Sequence, residues 1–351
     1  MIEVQSRGNE QELDTSLQLW ATYRDQIRLE LEAIVNTLPQ YLANIIRYHM
    51  GWADEKGRPC QRKSGKYIRS ILHLVCCQAV GGDVTQVTPS AATVEFVHNF
   101  SLIHDDVQDG SHERHGRPTV WKLWGKSQAI NIGDLMFSLA SLSLVRLKEK
   151  GVPSDKVVFS FRFLAEACED LCEGQYLDIA YEKRLDVTVE EYLTMIRKKT
   201  AALIAASTFL GAYLGGGENK ASHFGRFGEA LGLAYQIRDD ILGIWGKRET
   251  TGKSVEEDIQ RKKKTLPVVY ALRECKEREK LRDLYAQKHI RRSDIASILE
   301  ILDRSGAQAY AQGLVEQYHR QALEWLDACN VKEEHLFALR KIAYFLVRRQ
   351  Y

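Results

Sequence analysis

Apolar residues recur three and four positions apart along most of the chain, which is the spacing of one face of an α-helix. Two clear sets are Val94, Val97, Leu102 and Ile103, and Leu231, Ala234, Ile237, Ile241 and Leu242. Sustained alternation of polar and apolar residues, the pattern of a strand, is absent. None of the six prolines lies between Pro153 and Pro267, so long helices can continue there without a break. The pattern predicts an all-α protein.

Local signals predict where two of these helices begin. Thr88-Pro89 is typical of a helix start, with proline at the first helical position. Thr188 and Glu191 have the spacing of a capping box. Since no low-complexity linker interrupts the helical pattern, we predict one domain over residues 1–351, with residues 1–15 loosely held.

One uncharged segment, AALIAASTFLGAYLGGG at residues 201–217, raises the question of a membrane span. It is at the short limit for crossing a bilayer and ends in three glycines, so a helix buried in a large core explains it better. The polar N-terminus lacks the apolar stretch of a signal peptide. We therefore predict no membrane span.

Composition narrows the class of protein further. The chain has 49 basic and 47 acidic residues, a net charge of +2, and this balance gives no reason to expect nucleic acid binding. Its seven cysteines are odd in number and form no C-x-x-C motif, so neither a disulfide framework nor a zinc ribbon is indicated. A reducing cytoplasm is the expected compartment.

Clustered aspartates occur twice, each time in an apolar helical stretch. The first copy, SLIHDDVQDG, contains Asp105, Asp106 and Asp109, and the second, AYQIRDDILGIWG, contains Asp239 and Asp240. Clustered carboxylates repel one another and lose hydration when they are buried. A divalent cation relieves both costs, and oxygen ligands favour Mg²⁺ or Ca²⁺. The alternative explanation is that both aspartate clusters lie at solvent-exposed helix ends and bind no metal.

Basic residues accompany the two acidic motifs. Mg²⁺ that is held by few carboxylates usually completes its coordination shell with phosphate oxygens and water. The candidate phosphate-binding residues are Lys66, Arg69, Arg114, His115, Lys199, Lys253 and Lys263. Each cluster of basic residues, taken alone, would be explained as the solvent-exposed face of a helix. Together with the two aspartate motifs, these clusters predict a site for a phosphorylated substrate.

These motifs resemble the trans-isoprenyl diphosphate synthases, or polyprenyl synthases, from about Lys63 to Ala271 and more weakly beyond. The similar segments, which stand in the family's order, are SGKYIRS, HNFSLIHDDVQD, RHGRPTVW with Gly133-Asp134, Gly174-Gln175 with Asp178, Lys199-Thr200, YQIRDD, GKSVEEDI and KKTLP. The resemblance implies a bundle of long antiparallel helices around a deep cavity. It also implies a homodimer.

The resemblance implies a chemistry for the site. An allylic diphosphate ionises, and the double bond of isopentenyl diphosphate attacks the resulting cation. Mg²⁺, three ions per active site, would be held by Asp105, Asp106, Asp109, Asp239 and Asp240. Arg114, Lys199 and Lys253 would hold the allylic diphosphate, with Lys263 and His115 as further substrate ligands. Lys66, Arg69 and His98 would hold isopentenyl diphosphate. Thr200 and Gln236 would present oxygens to the cation.

The chain departs from the family pattern at several positions. Gly243 stands where many members have a third aspartate, so metal affinity on that side is expected to be weaker. His115 stands where members commonly have a second arginine, and an imidazole is a weaker anion ligand as the pH rises. Ser64, Tyr67 and Ser70 replace the usual residues of the first element.

The product length is predicted from the helix that carries the first motif. By resemblance, Phe100 and Ser101 form part of the floor of the product tunnel. Of these two positions only the first, Phe100, carries an aromatic residue, and the aspartate motif has no insertion. This combination resembles geranylgeranyl diphosphate synthases. We therefore predict a C20 product, with C15 as the alternative. A terpene cyclase on the same scaffold and a non-catalytic partner subunit are the competing interpretations.

Overall fold

The computed structural model describes residues 2–60, 65–246 and 259–348, with side chains from residue 18 onward. Its helices are α1 Ile2–Val35, α2 Gln40–His49, α3 Ile68–Ala79, α4 Val84–Gln108, α5 Val120–Trp124, α6 Lys126–Val145, α7 Ser154–Tyr181, α8 Val189–Ile196, a π-helical turn Arg197–Ala201, α9 Ala202–Leu214, α10 Ala221–Trp245, α11 Leu266–Glu274, α12 Arg278–Ala286, α13 Arg292–Arg304, α14 Ala307–Asp327 and α15 Glu333–Arg348. The strands β1 Glu113–Arg114 and β2 Arg117–Pro118 form one short antiparallel hairpin. The all-α prediction is confirmed, while the single domain and the loose residues 1–15 stay predictions.

One of the two predicted helix starts is wrong. Helix α4 begins at Val84, and the Asp83 carboxylate caps it by accepting a hydrogen bond of 2.9 Å from the Thr85 amide. Pro89 therefore lies in the second turn, where its carbonyl accepts a hydrogen bond of 2.8 Å from Ser143 on α6. An aspartate is a strong N-cap, and it outweighs the local preference of proline for the first position.

The other predicted start is confirmed. The Thr188 hydroxyl accepts a hydrogen bond of 3.1 Å from the Glu191 amide, and the Glu191 carboxylate accepts one of 2.8 Å from the Thr188 amide. This capping box satisfies two amides that a helix start leaves without partners. It fixes the beginning of α8, which leads directly into the π-helical turn.

The core lies among α3, α4, α9 and α10. Helix α9 contacts α3 on one side and α10 on the other, while α4 packs against α6 and α10 packs against α14. Large side chains such as Leu72, Phe96, Phe224 and Phe227 are completely buried there. Helix α9 falls in the uncharged segment 201–217, and at 13 residues, most of them buried, it is the buried helix that we predicted.

A different helix meets the length and composition test for a membrane span. Among the residues whose structure is described, α6 is the one helix that is long and apolar enough to pass it, and 44% of the tested window is buried inside the protein. The core helices of globular proteins often pass the same test.

The π-helical turn is held by close backbone contacts with two glycines. A Cβ atom added to Gly174 on α7 would lie 2.2 Å from the Lys199 nitrogen, and one added to Gly232 on α10 would lie 2.7 Å from the Ala201 Cα. Both distances are far below van der Waals contact, so only glycine allows α7 and α10 to approach the turn this closely. The position of Lys199 and Thr200 in the turn therefore depends on these two neighbouring helices.

Gly174→Ala is expected to destabilise the protein by about 2 kcal/mol, because the turn must move away from the added methyl group. The control is Gly313→Ala in α14, since no atom lies within 4 Å of the Cβ position there. Alanine in that helix interior is expected to raise stability by about 0.5–1 kcal/mol. Urea unfolding of both variants tests the prediction, and a Gly174→Ala variant as stable as the parent would contradict it.

Candidate active site

The first aspartate cluster lies where α4 ends. Asp105 and Asp106 are in its last turn and Asp109 is the C-cap residue. Arg114, on β1, donates hydrogen bonds of 2.8–3.1 Å to both oxygens of Asp106, and its nearest nitrogen is 3.6 Å from Asp105. Burial acts to lower the pKa of Arg114, but Asp106 and Asp105 raise it overall. Asp106 is thus engaged in a buried bidentate ion pair.

Two lysines from different parts of the chain neutralise the remaining carboxylates. Lys199 Nζ lies 2.7 Å from Asp178 and 3.3 Å from Asp105. Lys263 Nζ lies 2.9 Å from Asp178 and 3.0 Å from Asp109. Burial acts to raise the pKa of Asp178, but Lys199 and Lys263 lower it to about 2. Acidic and basic groups therefore alternate across the space between α4, α7 and the π-helical turn.

The second aspartate pair divides into a buried and a half-buried member. Asp240 is 6% exposed and accepts hydrogen bonds from the Tyr192 hydroxyl, from the Leu266 amide at 2.8 Å and from the Gln236 amide at 3.0 Å. Asp239 is half-buried beside it. Consecutive helical residues point about 100° apart, so Asp239 faces a different direction from Asp240.

The π-helical turn connects the two aspartate motifs. Lys199 contacts Asp105 of the first motif. The next residue, Thr200, donates a hydrogen bond of 2.8 Å to the Gln236 side chain, which in turn donates to Asp240 of the second motif. The structure thereby brings both motifs to one site although they are far apart in the chain.

A second group of basic residues lies between α3, α4 and the hairpin. Arg69 Nη1 is 3.3 Å from His98 Nε2. Burial, Arg69 and Arg114 hold the pKa of His98 well below its usual range. Lys66 is exposed in the loop before α3, and His115 occupies the hairpin turn with a φ of 52°. Mutually repelling basic groups in a partly buried setting indicate an anion site.

The two residues predicted to form the tunnel floor differ in their surroundings. Phe100 is 8% exposed, and its ring packs edge-on at 5.1 Å against Phe137 of α6 and at 5.8 Å against His104. Ser101 is half-buried, and its hydroxyl donates to the His98 carbonyl at 2.7 Å. Lys253, the remaining candidate, lies outside the described residues.

Sequence reasoning did not assign a role to two residues that hold the site together. Asp178 pairs with two lysines, and Tyr192 binds Asp240. Asp178 follows Gly174 by one helical turn, a spacing that would have placed it on the same face as the glycine. For Tyr192 the chain offers no local signal, since its partner is 48 residues away.

Comparisons with known proteins agree with this architecture. A sequence profile of the polyprenyl synthetases matches residues 52–302. The chain is 36% identical over 326 residues to a (2E,6E)-farnesyl diphosphate synthase of Mycobacterium bovis, with 91% of this chain and 89% of that protein covered. It is 38% identical over 315 residues to a geranylgeranyl diphosphate synthase of Mycobacterium tuberculosis, with 89% of each covered.

A solved structure leads to the same assignment. The polyprenyl synthetase of Streptomyces coelicolor A3(2) superposes with a TM-score of 0.87 at 35% identity, over 94% of this chain and 99% of that chain. The helical fold and these similarities define a prenyltransferase that elongates isoprenoid diphosphates. The chain belongs to the polyprenyl synthetase family.

The donor set suits a hard divalent cation. Among the described residues no group of three metal-binding side chains is already arranged around a common point, because lysines and an arginine lie between the carboxylates. Asp105, Asp109 and Asp239 offer the oxygen donors that Mg²⁺ prefers. Asp106 is paired with Arg114, and Asp240 is hydrogen-bonded to Tyr192. The metal-ligand role of all five aspartates stays a prediction.

The low pKa of Asp178 predicts an acid-dependent loss of stability. A carboxyl group with a pKa of about 2 in the folded state and 3.8 when unfolded stabilises the fold above about pH 4 and loses that contribution as the pH falls to about 2. The contribution is about 2 kcal/mol. The gap in unfolding free energy between the parent and Asp178→Asn should therefore narrow over this window, as measured by urea unfolding.

The control is Asp170→Asn, whose exposed carboxylate also pairs with a lysine, Lys198, at 2.9 Å. Since exposed ion pairs contribute little to stability, the difference in unfolding free energy between the parent and this variant should stay small at every pH. A gap for Asp178→Asn that does not change with pH would contradict the prediction.

Proposed function

We propose that the protein condenses isopentenyl diphosphate head-to-tail with an allylic diphosphate in a Mg²⁺-dependent reaction, that geranylgeranyl diphosphate is the main product, and that farnesyl diphosphate is the alternative. The observation that carries the proposal is the convergence of both aspartate motifs and three basic residues, Arg114, Lys199 and Lys263, at one site. The seven cysteines form no disulfide among the described residues, which supports a cytoplasmic location.

Charge separation is the difficult step of this reaction. Opposite unit charges about 4 Å apart attract by roughly 4 kcal/mol at an effective dielectric constant of 20, so several fixed cations give a large stabilisation of the leaving diphosphate. Mg²⁺ bound by Asp105, Asp109 and Asp239 would supply part of this charge. Lys199 and Lys263 would supply the rest by turning from carboxylates toward the diphosphate, since both already lie at this end of α4.

The hydrogen bonds of Thr200 and Gln236 support the role that the family resemblance implies. The Thr200 hydroxyl hydrogen points to Gln236, so the lone pairs of its oxygen point elsewhere. Asp240 fixes the Gln236 amide in turn. Such a fixed oxygen could stabilise an allylic cation without having to reorient during the reaction.

The residues of the second basic group distinguish chain elongation from cyclisation. A terpene cyclase would ionise a prenyl diphosphate without binding isopentenyl diphosphate. Arg69 lies next to His98 at 3.3 Å, and the Arg69 Nε is buried without a hydrogen-bond partner in the described part of the chain. A second diphosphate would provide that partner, which favours elongation.

The exposed face of α6 supports a homodimer. Ile130, Phe137, Leu142 and Val145 are between 45% and 60% exposed on this helix. Val158 on α7 is 68% exposed. Several exposed apolar residues on two neighbouring helices are typical of a protein interface. A second copy of the chain would cover it and would also account for the membrane-like composition of α6.

The direct test is incubation with Mg²⁺, isopentenyl diphosphate and each allylic primer, followed by chromatography of the dephosphorylated products. We expect C20 as the main product. Cyclised hydrocarbons, or no incorporation of isopentenyl diphosphate, would contradict the proposed function.

Asp105→Ala and Asp239→Ala are each expected to lower turnover by orders of magnitude at limiting Mg²⁺, because each removes a metal ligand from one side of the site. The fold should remain intact, as judged by circular dichroism. Asp25→Ala, which removes an exposed carboxylate on α1, is the control and should leave turnover unchanged. Near-normal rates in either site variant would exclude the two-sided metal site.

Ser101→Phe and Phe100→Ala are expected to shift the product length in opposite directions. Ser101 lies one helical turn, about 6 Å, before Asp105, so a phenylalanine there would shorten the tunnel and give C15 or shorter products. Phe100→Ala would remove the ring that packs against Phe137 and give longer chains. If both variants keep the product distribution of the parent, α4 does not form the tunnel floor.

A further inference from the structure

Three consecutive lysines, Lys262, Lys263 and Lys264, precede α11 and contact different parts of the protein. Lys262 donates a hydrogen bond to the carbonyl of Gln287, directly after α12. Lys263 forms ion pairs in the candidate active site. Lys264 forms no salt bridge among the described residues, and the mechanism does not use it.

The side chain of Lys264 is buried, with 2% of the residue exposed. Its Nζ donates hydrogen bonds to the Glu182 carbonyl at 3.1 Å and to the Lys262 carbonyl at 2.8 Å. It also lies 5.3 Å from the centre of the Tyr285 ring on α12. Burial lowers the pKa of Lys264 to about 8, so a charged group at this position costs free energy. An apolar side chain would avoid that cost, so the two hydrogen bonds are the specific contribution of lysine.

The first of these hydrogen bonds connects the loop before α11 to the end of α7. Glu182 is the C-cap residue of α7. The last carbonyls of a helix have no partner within the helix, and a positive charge is favourable there. Asp178 lies one turn earlier on the same helix. The bond from Lys264 to Glu182 therefore holds the loop close to Asp178.

The second hydrogen bond supports an unusual backbone conformation. Lys262 has a φ of 60°, in the left-handed region that residues with a side chain adopt only when surrounding contacts hold them there. Lys263 lies between the carbonyl that accepts this bond and the side chain that donates it, so its backbone is held on both sides. Its Nζ thereby lies 3.0 Å from Asp109 on α4 and 2.9 Å from Asp178 on α7.

We propose that Lys264 is a positioning residue for the allylic diphosphate. It does not touch the substrate, but its hydrogen bonds place Lys263 where that ammonium group can bind the diphosphate. The inference rests on the proposed function, because the proposed function assigns Lys263 to the diphosphate. The alternative is that Lys264 only stabilises the fold, and its loss would then not depend on whether Lys263 is present.

The test is a double-mutant cycle with Lys264→Met and Lys263→Ala, measured by steady-state kinetics with Mg²⁺, isopentenyl diphosphate and an allylic primer. Lys264→Met should lower kcat/KM for the primer about tenfold, because a misplaced ligand loses transition-state stabilisation. The KM for isopentenyl diphosphate should stay within twofold of the parent value. In the Lys263→Ala background, Lys264→Met should lower kcat/KM less than twofold, because the residue that it positions is gone.

Lys198→Met is the matched control. Lys198 also precedes a lysine proposed to bind the diphosphate, but its partners Asp170 and Glu173 are largely exposed, at 2.9 and 2.8 Å. The variant removes one positive charge near the site, as Lys264→Met does, and should leave kcat/KM within twofold of the parent. If Lys264→Met does not fold, Lys264→Gln replaces it in the cycle. Its amide can still donate to a carbonyl, so it should show a smaller loss that is again absent in the Lys263→Ala background.

A further tenfold loss on adding Lys264→Met to Lys263→Ala would overturn the inference, and so would an equal rise in KM for both substrates. An equal loss in Lys198→Met would assign the effect to charge alone and would overturn it as well. If the parent elongates primers while any of these results holds, only the role of Lys264 fails. A parent that does not elongate any primer contradicts the proposed function itself.

Discussion

The site depends on the position of the π-helical turn, because Lys199 and Thr200 in this turn contact different helices around the site. Lys199 forms ion pairs with acids on α4 and α7, while Thr200 forms a hydrogen bond toward α10. Gly174 and Gly232 let α7 and α10 contact the backbone of the turn. The wider helical turn also directs these consecutive side chains to different partners, which is a common use of π-bulges at functional sites.

Within each aspartate motif one carboxylate is buried and bound by protein partners. Asp106 is bound by Arg114, and Asp240 is bound by Tyr192 and by the first amide of α11. Both are buried, so each needs these partners to offset the loss of hydration.

Lys199 and Lys263 pair with carboxylates in the structure, and they are also the residues proposed to bind the diphosphate. In the structure they neutralise carboxylates that would otherwise repel one another in a partly buried space. If the proposed function holds, the same lysines would face phosphate and the carboxylates would face metal when the substrates bind. In the second basic group, Arg69 lies 3.3 Å from His98, and the buried Glu95 is close enough to interact electrostatically with Arg69.

Local rules determined much of this protein from its sequence. The helical spacing of apolar residues and the rarity of proline indicated the all-α fold, and the spacing of Thr188 and Glu191 predicted a helix start, because these features act within one or two turns. The aspartate motifs predicted an acidic site for the same reason, since residues three or four apart in a helix share a face.

The tertiary structure decided which of these residues act together. Lys263 and Asp109 are 154 residues apart in the chain, and Tyr192 and Asp240 are 48 apart, so no local pattern could pair them. Helix α4 starts at Val84 and not at Pro89, because the Asp83 side chain is a stronger cap than the Thr88-Pro89 signal. The burial of Asp240 beside the half-buried Asp239 depends on contacts between helices, which only the packed chain defines.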